Sequence, residues 1–256
     1  MPVKLERVHG VGILRFQRPE RANALNRESL QSLVALIEAF RGDHEARVVI
    51  TMGEGKGYSA GSDLEEIARL STEQAMEHQR LEGTVCRSLL SLPQPTIAAL
   101  HGYALGGGLL LAAYHDFRIA AANTRLGLPE VKLGWNPTFG MARLRRLVGV
   151  AAATQWLMSG DEIGMEEASR TGLVTRVVLD SADVLPAAMT LAEELAQRPP
   201  AALAAIKGAL WQEAASEFER TDALETELFG RCLETPEAQA SLLLYHKPRL
   251  RSEQES

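Results

Sequence analysis

The sequence has few cysteines, no basic excess and no long apolar run, and each shortage excludes a class of protein. Its only two cysteines, Cys86 and Cys232, are too far apart to suggest a metal site, and we interpret both as buried or incidental thiols. The formal net charge of −6 argues against general nucleic-acid binding, which needs a basic surface. No apolar stretch approaches the roughly 20 residues of a membrane span, and no signal-peptide pattern begins the chain. We therefore expect a cytoplasmic protein without a metal, a membrane or a nucleic-acid partner.

Two common nucleotide-binding motifs are also absent, although glycines are clustered. Gly102 and glycines 106–108 lie between an apolar, β-branched run at 96–100 and an apolar run at 109–113. The spacing matches no G-x-G-x-x-G, and no Lys-Ser/Thr pair follows, as a phosphate loop would require. A strand, a glycine turn and a buried helix can direct free backbone N–H groups at an anion. We therefore predict that this turn binds an oxyanion that develops on a substrate carbonyl.

The apolar pattern predicts alternating strands and helices over about the first 180 residues. Strands at 3–8 and 11–16 form a hairpin, and Asn26 caps a helix that Gly42 ends. Strand, strand and helix then repeat, which favours an α/β spiral over a doubly wound sheet, although periodicity alone does not separate the two. With 46% hydrophobic residues, the chain can bury a sizeable core.

From Asp183 onward the pattern predicts helices alone, with prolines in their first turns. These helices carry more leucines than a two-helix appendage can bury. The leucines are Leu224, Leu228, Leu233, Leu242, Leu243 and Leu244. Surplus apolar helix surface predicts a subunit interface.

Four segments share an order and a spacing that make them specific as a set. They are residues 18–26 (RPERANALN), residues 59–64 (SAGSDL), the glycine turn within 96–115, and residues 128–130 (LPE) with Leu133 and Gly134. Together they resemble the crotonase family, the enoyl-CoA hydratase/isomerase superfamily, from the first strand to about Val178. The resemblance implies an α/β fold, a crotonase-like ββα superhelix, with residues 1–180 as a spiral core that holds an acyl-CoA site. It also implies that residues 181–256 form a helical C-terminal trimerisation segment, so a homotrimer or a dimer of trimers is expected.

The resemblance assigns the reaction chemistry to three residues. The backbone N–H groups of Ser62 and Gly107 match the family's oxyanion hole, and Gly106 lets the chain approach the thioester closely. Glu130 matches a carboxylate that acts as acid or base. Its apolar sequence neighbours would desolvate the carboxyl group and so raise its pKa.

Leu110 departs from the family pattern, because hydratases carry a second glutamate at that position. Isomerases that shift a double bond between positions 3 and 2 need one glutamate, so we expect an enoyl-CoA isomerase that uses Glu130 alone. The first alternative is an enoyl-CoA hydratase in which another acid stands in. Asp63, Glu65 and Glu66 are candidates, although the pattern assigns them to the start of a short helix. A C–C hydrolase, lyase or decarboxylase on the same scaffold is a further alternative, as is a non-catalytic thioester-binding subunit.

The resemblance also implies which residues contact the substrate, an acyl-CoA thioester. No cofactor is expected, because coenzyme A arrives as part of the substrate. The implied substrate-binding residues are Arg18, Arg21, Ala22, Ala24, Ala60, Leu64, Gly106, Leu110, Trp135 and Thr138. The family's C-terminal aromatic-Lys-Arg run is not matched here, which leaves open the residue that contacts the 3′-phosphate, with Lys247 and Arg249 as candidate substitutes.

Overall fold

The structure, a computed structural model, describes residues 1–43 and 45–246. Within them the strands are β1 (Val3–Val8), β2 (Val11–Phe16), β3 (Val48–Gly53), β4 (Thr96–Leu100), β5 (Tyr103–Leu105), β6 (Phe117–Ala121), β7 (Arg125–Gly127), β8 (Glu162–Ile163) and β9 (Arg176–Val178). The helices are α1 (Arg27–Arg41), α2 (Leu64–Ile67), α3 (Thr72–Leu90), α4 (Gly107–Ala113), α5 (Met141–Val148), α6 (Val150–Ser159), α7 (Met165–Arg170), α8 (Ser181–Ala196), α9 (Pro200–Leu233) and α10 (Pro236–Leu243). Short 3₁₀ helices span Pro19–Arg21 and Pro129–Leu133.

The larger sheet has six strands in the order β1-β2-β3-β4-β6-β9. β1 and β2 are antiparallel, and the remaining neighbours are parallel, with Ile13 opposite Ile50 and Ile50 opposite Ile97. Every residue of β3 and β4 is buried. Parallel strands of this kind need a cover on both faces of the sheet, because neither face can meet water.

Alternate residues of the central strands face two separate cores. Val49 packs into the core that contains Leu33 of α1, whereas Ile50 packs into the core that contains Val184 of α8. Helices therefore cover both faces. Although α8 begins after residue 180, it shares a core with the strands that precede it. The division of the chain at residue 180 stays a prediction.

The strand, strand and helix pattern brings the glycine turn to a defined place. β4 leads into β5 and then directly into α4, and β5 pairs with β7 in a three-stranded sheet that β8 completes. The sequence pattern predicts neither β5 nor β8, because such short strands give no periodic signal. Isolated bridges join Ser59 to Ala104 and Leu25 to Ser62. These bridges hold three of the four characteristic segments together.

The C-terminal helices pack on one side of this core. α9 contacts α3 and α5, while α10 contacts α2 and the 3₁₀ helix at Pro129–Leu133. Leu233 at the end of α9 is buried in a cluster that also contains Ala238 of α10. Of the leucines predicted for a subunit interface, Leu224, Leu228, Leu243 and Leu244 are exposed. They are available for the predicted subunit interface, which stays a prediction.

Within the described residues, no helix has both the length and the apolarity that a membrane span requires.

Candidate active site

Two unpaired backbone donors lie close together where residues 59–64 meet the glycine turn. The N–H groups of Ser62 and Gly107 have no hydrogen-bond acceptor among the described residues. Backbone hydrogen bonds next to these donors hold residues 59–64 and the glycine turn in place. The N–H of Leu25 donates to the Gly61 carbonyl at 2.8 Å, and the N–H of Leu105 donates to the Ser59 carbonyl at 3.0 Å. Two fixed donors of this kind can stabilise a developing oxyanion. We call Gly61, Ser62, Gly106 and Gly107 the oxyanion turn.

Glycine is required at two positions of the oxyanion turn. Gly61 has a φ of +92°, and a Cβ there would lie 2.9 Å from the Gly107 nitrogen. Gly106 has a φ of +52°, and a Cβ there would lie 3.0 Å from Oε1 of Glu130. A side chain at either position would be strained and would crowd a donor or the acid.

The carboxyl group of Glu130 reaches the oxyanion turn from the 3₁₀ helix at Pro129–Leu133. The residue as a whole is half-buried, but Oε2 is buried and has no hydrogen-bond partner among the described residues. Burial raises the pKa of Glu130 to about 7, and the charge of Glu82 adds to the rise. A group whose pKa lies near neutral pH can take up a proton and release it again.

A cavity of about 580 Å³ connects the oxyanion turn and Glu130. All but one of the residues that the sequence predicts for the site line this cavity. They are Arg21, Ala22, Ala24, Ala60, Ser62, Leu64, Gly106, Gly107, Leu110, Glu130, Trp135 and Thr138. The structure thus brings these residues together, while the role of each one stays a prediction.

Arg18 is the predicted site residue that does not line the cavity. Its guanidinium group donates to the Ala24 carbonyl at 2.5 Å and to the Asp63 carboxylate at 2.9 Å. The side chain therefore supports the cavity wall that Ala24 forms, and a direct contact of Arg18 with the substrate stays a prediction. Sequence alone could not distinguish the two roles, since both use an arginine in the same loop.

The acids considered as substitutes at the apolar position of Leu110 are all engaged elsewhere. Asp63 caps α2 by accepting the N–H of Glu66 at 3.2 Å. Glu65 is paired with Arg21. The carboxylate of Glu66 accepts a backbone N–H at the start of α1, at 3.0 Å. These partners hold the three side chains, although Asp63 and Glu65 also line the cavity.

Sequence reasoning missed a buried acid behind the oxyanion turn, Glu82 of α3. Its side chain is 1% exposed, its Oε2 accepts the Ser62 hydroxyl at 3.0 Å, and its Oε1 lies 3.2 Å from Nε2 of His78. Burial alone would lower the pKa of His78, but the hydrogen bond and charge of Glu82 outweigh burial and raise it. The sequence carries one signal of this site: residues 78 and 82 are polar on the same helix face as the buried Ala75 and Cys86.

The far wall of the cavity combines aromatic and polar side chains. Trp135 packs edge-on against Phe229 of α9, with 6.1 Å between ring centroids. The hydroxyl of Thr138 donates to Oε1 of Gln79 at 2.5 Å, and Gln79 itself lines the cavity, which the sequence analysis did not predict.

The candidates for the phosphate contact, Lys247 and Arg249, lie outside the described residues, whereas Tyr245 just before them lines the cavity.

A family model and several known proteins match this chain over nearly its whole length. The family model for enoyl-CoA hydratase/isomerase matches residues 6–251. A short-chain-enoyl-CoA hydratase of Clostridium acetobutylicum is 34% identical over 96% of this chain and 95% of its own length. A crotonyl-CoA hydratase of Syntrophomonas wolfei is 35% identical, also over 96% of this chain and 95% of its own.

The fold agrees with these sequence matches. The crystal structure of an enoyl-CoA hydratase/isomerase from Xanthobacter autotrophicus Py2 superposes with a TM-score of 0.86 and 26% identity. The superposition covers 95% of this chain and 92% of that one. The predicted crotonase-like fold with a helical C-terminal segment is therefore confirmed.

Proposed function

The chain belongs to the enoyl-CoA hydratase/isomerase family, and we propose that it transfers protons at the acyl carbons of an enoyl-CoA thioester. Glu130 is the acid–base group of this proposal. The N–H groups of Ser62 and Gly107 hold the thioester oxygen. The acyl-CoA lies along the cavity wall that contains Arg21, Ala60 and Leu64.

The observation that carries the proposal is the carboxyl group of Glu130. It lies against Gly106 of the oxyanion turn, has an unpartnered buried oxygen and titrates near neutral pH. When the thioester oxygen accepts both N–H groups, negative charge can collect there as an enolate. Glu130 then removes a proton from C2 or delivers one to it.

Hydration of a 2-enoyl-CoA is the first candidate reaction. The two curated relatives described above are both named as hydratases. Isomerisation of a 3-enoyl-CoA, which the sequence favours, is the second candidate. It is supported by Leu110, since an apolar residue stands where family hydratases carry their second glutamate. The relatives give it no specific support.

Turnover of the two substrates side by side tests the proposal. A 2-enoyl-CoA and a 3-enoyl-CoA of equal chain length are given to the wild type, with hydroxyacyl-CoA and shifted enoyl-CoA measured separately. We expect turnover of at least one substrate, and the product ratio identifies the main reaction. Tight thioester binding without any turnover would instead indicate a binding subunit and would contradict the proposal.

Assembly into a homotrimer or a dimer of trimers is part of the same proposal. The exposed Leu224, Leu228 and Leu243 are the surface that would be buried between subunits. Multi-angle light scattering at micromolar concentration should report three or six chains per particle. A stable monomer would contradict the assembly, and a Leu228→Glu variant should weaken it.

A further inference from the structure

The proposed mechanism leaves one buried acid unused, although it lies directly behind the oxyanion turn. A Cβ at Gly107 would lie 2.8 Å from Oε2 of Glu82. Glu130 is similarly close to the neighbouring glycine, Gly106, at 3.0 Å from a Cβ there. Two carboxyl groups therefore approach consecutive glycines of the same turn.

Burying a carboxyl group of this kind is expensive unless hydrogen bonds compensate it. Glu82 has such compensation on both oxygens, because the Ser62 hydroxyl donates to Oε2 and the imidazole of His78 donates to Oε1. Nε2 of His78 must carry a proton, since it also lies 3.2 Å from the Leu25 carbonyl, which can only accept. The position of the Glu82 side chain is therefore fixed.

Ser62 connects this buried acid to the cavity. The residue lines the cavity, whereas Glu82 does not. Because the hydroxyl hydrogen of Ser62 is directed at Glu82, the hydroxyl oxygen is left with lone pairs that can accept a hydrogen bond. A water molecule in the cavity could donate to that oxygen and would then be linked to Glu82 through it.

We infer that the Ser62 hydroxyl and Glu82 form a water-handling relay that takes over the task of the carboxylate absent at Leu110. The inference rests on the proposed function and adds to it how a chain with Leu110 can hydrate a 2-enoyl-CoA. His78 is a positioning residue for the relay. In this arrangement the side chain of Ser62 has a role that is separate from the role of its backbone N–H group.

The atoms of the hydration step balance as follows. The water oxygen bonds to C3 while the C2–C3 π pair moves towards the thioester oxygen, which the N–H groups of Ser62 and Gly107 hold. The water proton passes to the Ser62 oxygen as the hydroxyl proton of Ser62 passes to Glu82. Protonated Glu130 then delivers its proton to C2, and exchange with solvent returns both carboxyl groups to their starting states.

The Glu82→Gln variant tests the relay, because glutamine keeps the size of the side chain but cannot take up a proton. We expect hydration to fall about 100-fold in kcat, the usual scale for a positioned acid–base group. Isomerisation of a 3-enoyl-CoA, compared on its pH plateau, should fall far less than hydration, since it uses Glu130 and the backbone donors and not the relay. KM should change little for either substrate. Glu77→Gln on the exposed side of α3 is the matched control.

Three further variants make the test independent of local damage. Ser62→Ala keeps both backbone donors and should lose hydration like Glu82→Gln, and the double variant should be no worse than either single one, since one relay is removed. Leu110→Glu in the Glu82→Gln background should restore hydration. Circular dichroism and the melting temperature check that each variant is folded.

The outcomes separate the relay from the proposed function. Equal loss of hydration and isomerisation in Glu82→Gln would show that Glu82 only supports the turn, and no loss of hydration would show that it is idle. A wild type that isomerises but does not hydrate would overturn the relay and leave the proposed function in place. A wild type with neither activity would overturn both.

Discussion

The two carboxyl groups at the oxyanion turn differ in what surrounds them. Glu130 has a buried oxygen without a partner among the described residues and a pKa raised to about 7 by burial. Glu82 is buried more completely, but a hydroxyl and an imidazole donate to its two oxygens. The comparison teaches that burial alone does not define a proton-transfer group. The unpartnered acid faces the cavity directly, whereas the partnered one can act only through Ser62.

Loss of the Glu130 carboxylate should have the largest effect. Glu130→Gln keeps the shape of the side chain but cannot exchange a proton, so kcat should fall about 10²–10⁴-fold. Thioester affinity should stay nearly constant, because the oxyanion turn and cavity walls are unchanged. Steady-state kinetics and a binding titration with a non-reactive acyl-CoA measure the two effects. A folded variant with near-normal turnover would remove Glu130 from the mechanism.

Removal of one backbone donor should have the next largest effect. Gly107→Pro deletes the N–H group, and turnover should fall about 10²–10³-fold. Gly107→Ala is the matched control, since it also places a Cβ close to Oε2 of Glu82 but keeps the donor. The turnover of folded Gly107→Ala should therefore exceed that of folded Gly107→Pro by most of the expected 10²–10³-fold loss. Equal activities would mean that the thioester oxygen binds elsewhere.

The pH dependence should distinguish the two directions of proton transfer. Isomerisation needs Glu130 as a base, so its kcat/KM should rise with pH and level off above about 7. Hydration needs the protonated acid, so its kcat/KM should fall above about 7, by about tenfold per pH unit. Rate profiles from pH 5 to 9 measure both. A break near pH 4 to 5 would show that burial does not raise this pKa.

The same pKa predicts a smaller effect on stability. The pKa of Glu130 in the folded chain, about 7, lies above the ordinary value of 4.5, so protonation favours folding. This contribution is present below about pH 4.5 and is lost as the pH rises through about 7. At pH 8 the free energy of unfolding of the Glu130→Gln variant should therefore be about 1–3 kcal/mol higher than that of the wild type. Urea denaturation should show this gain at pH 8 and none at pH 4.

Much of the fold could be predicted from local patterns in the sequence, whereas the residues of the cavity lining were implied by the family resemblance. Asn26 caps α1 and Gly42 ends it, as the pattern predicts. The resemblance implied the roles of Ser62 and Gly107, and the neighbouring glycines indicated the turns that hold them. Backbone donors and turn residues are visible in a sequence because their geometry is set within a few residues.

Side-chain direction could not be predicted in the same way. Arg18 lies in the predicted loop, but its guanidinium group turns to Ala24 and Asp63 instead of the cavity. Glu82 belongs to an amphipathic helix, and its meeting with Ser62 depends on how that helix packs, 20 residues further along the chain. Contacts between distant segments are decided by tertiary packing, which no local pattern reports.

Exchange of the C2 protons of a saturated acyl-CoA in deuterium oxide tests the central claim most directly. Such a thioester has no double bond to hydrate or shift, so exchange reports only on the oxyanion turn and its base. The assignment of C2 proton transfer to Glu130 predicts exchange in wild type and in Glu82→Gln, and its loss in Glu130→Gln. Exchange at the wild-type rate in folded Glu130→Gln would contradict that assignment.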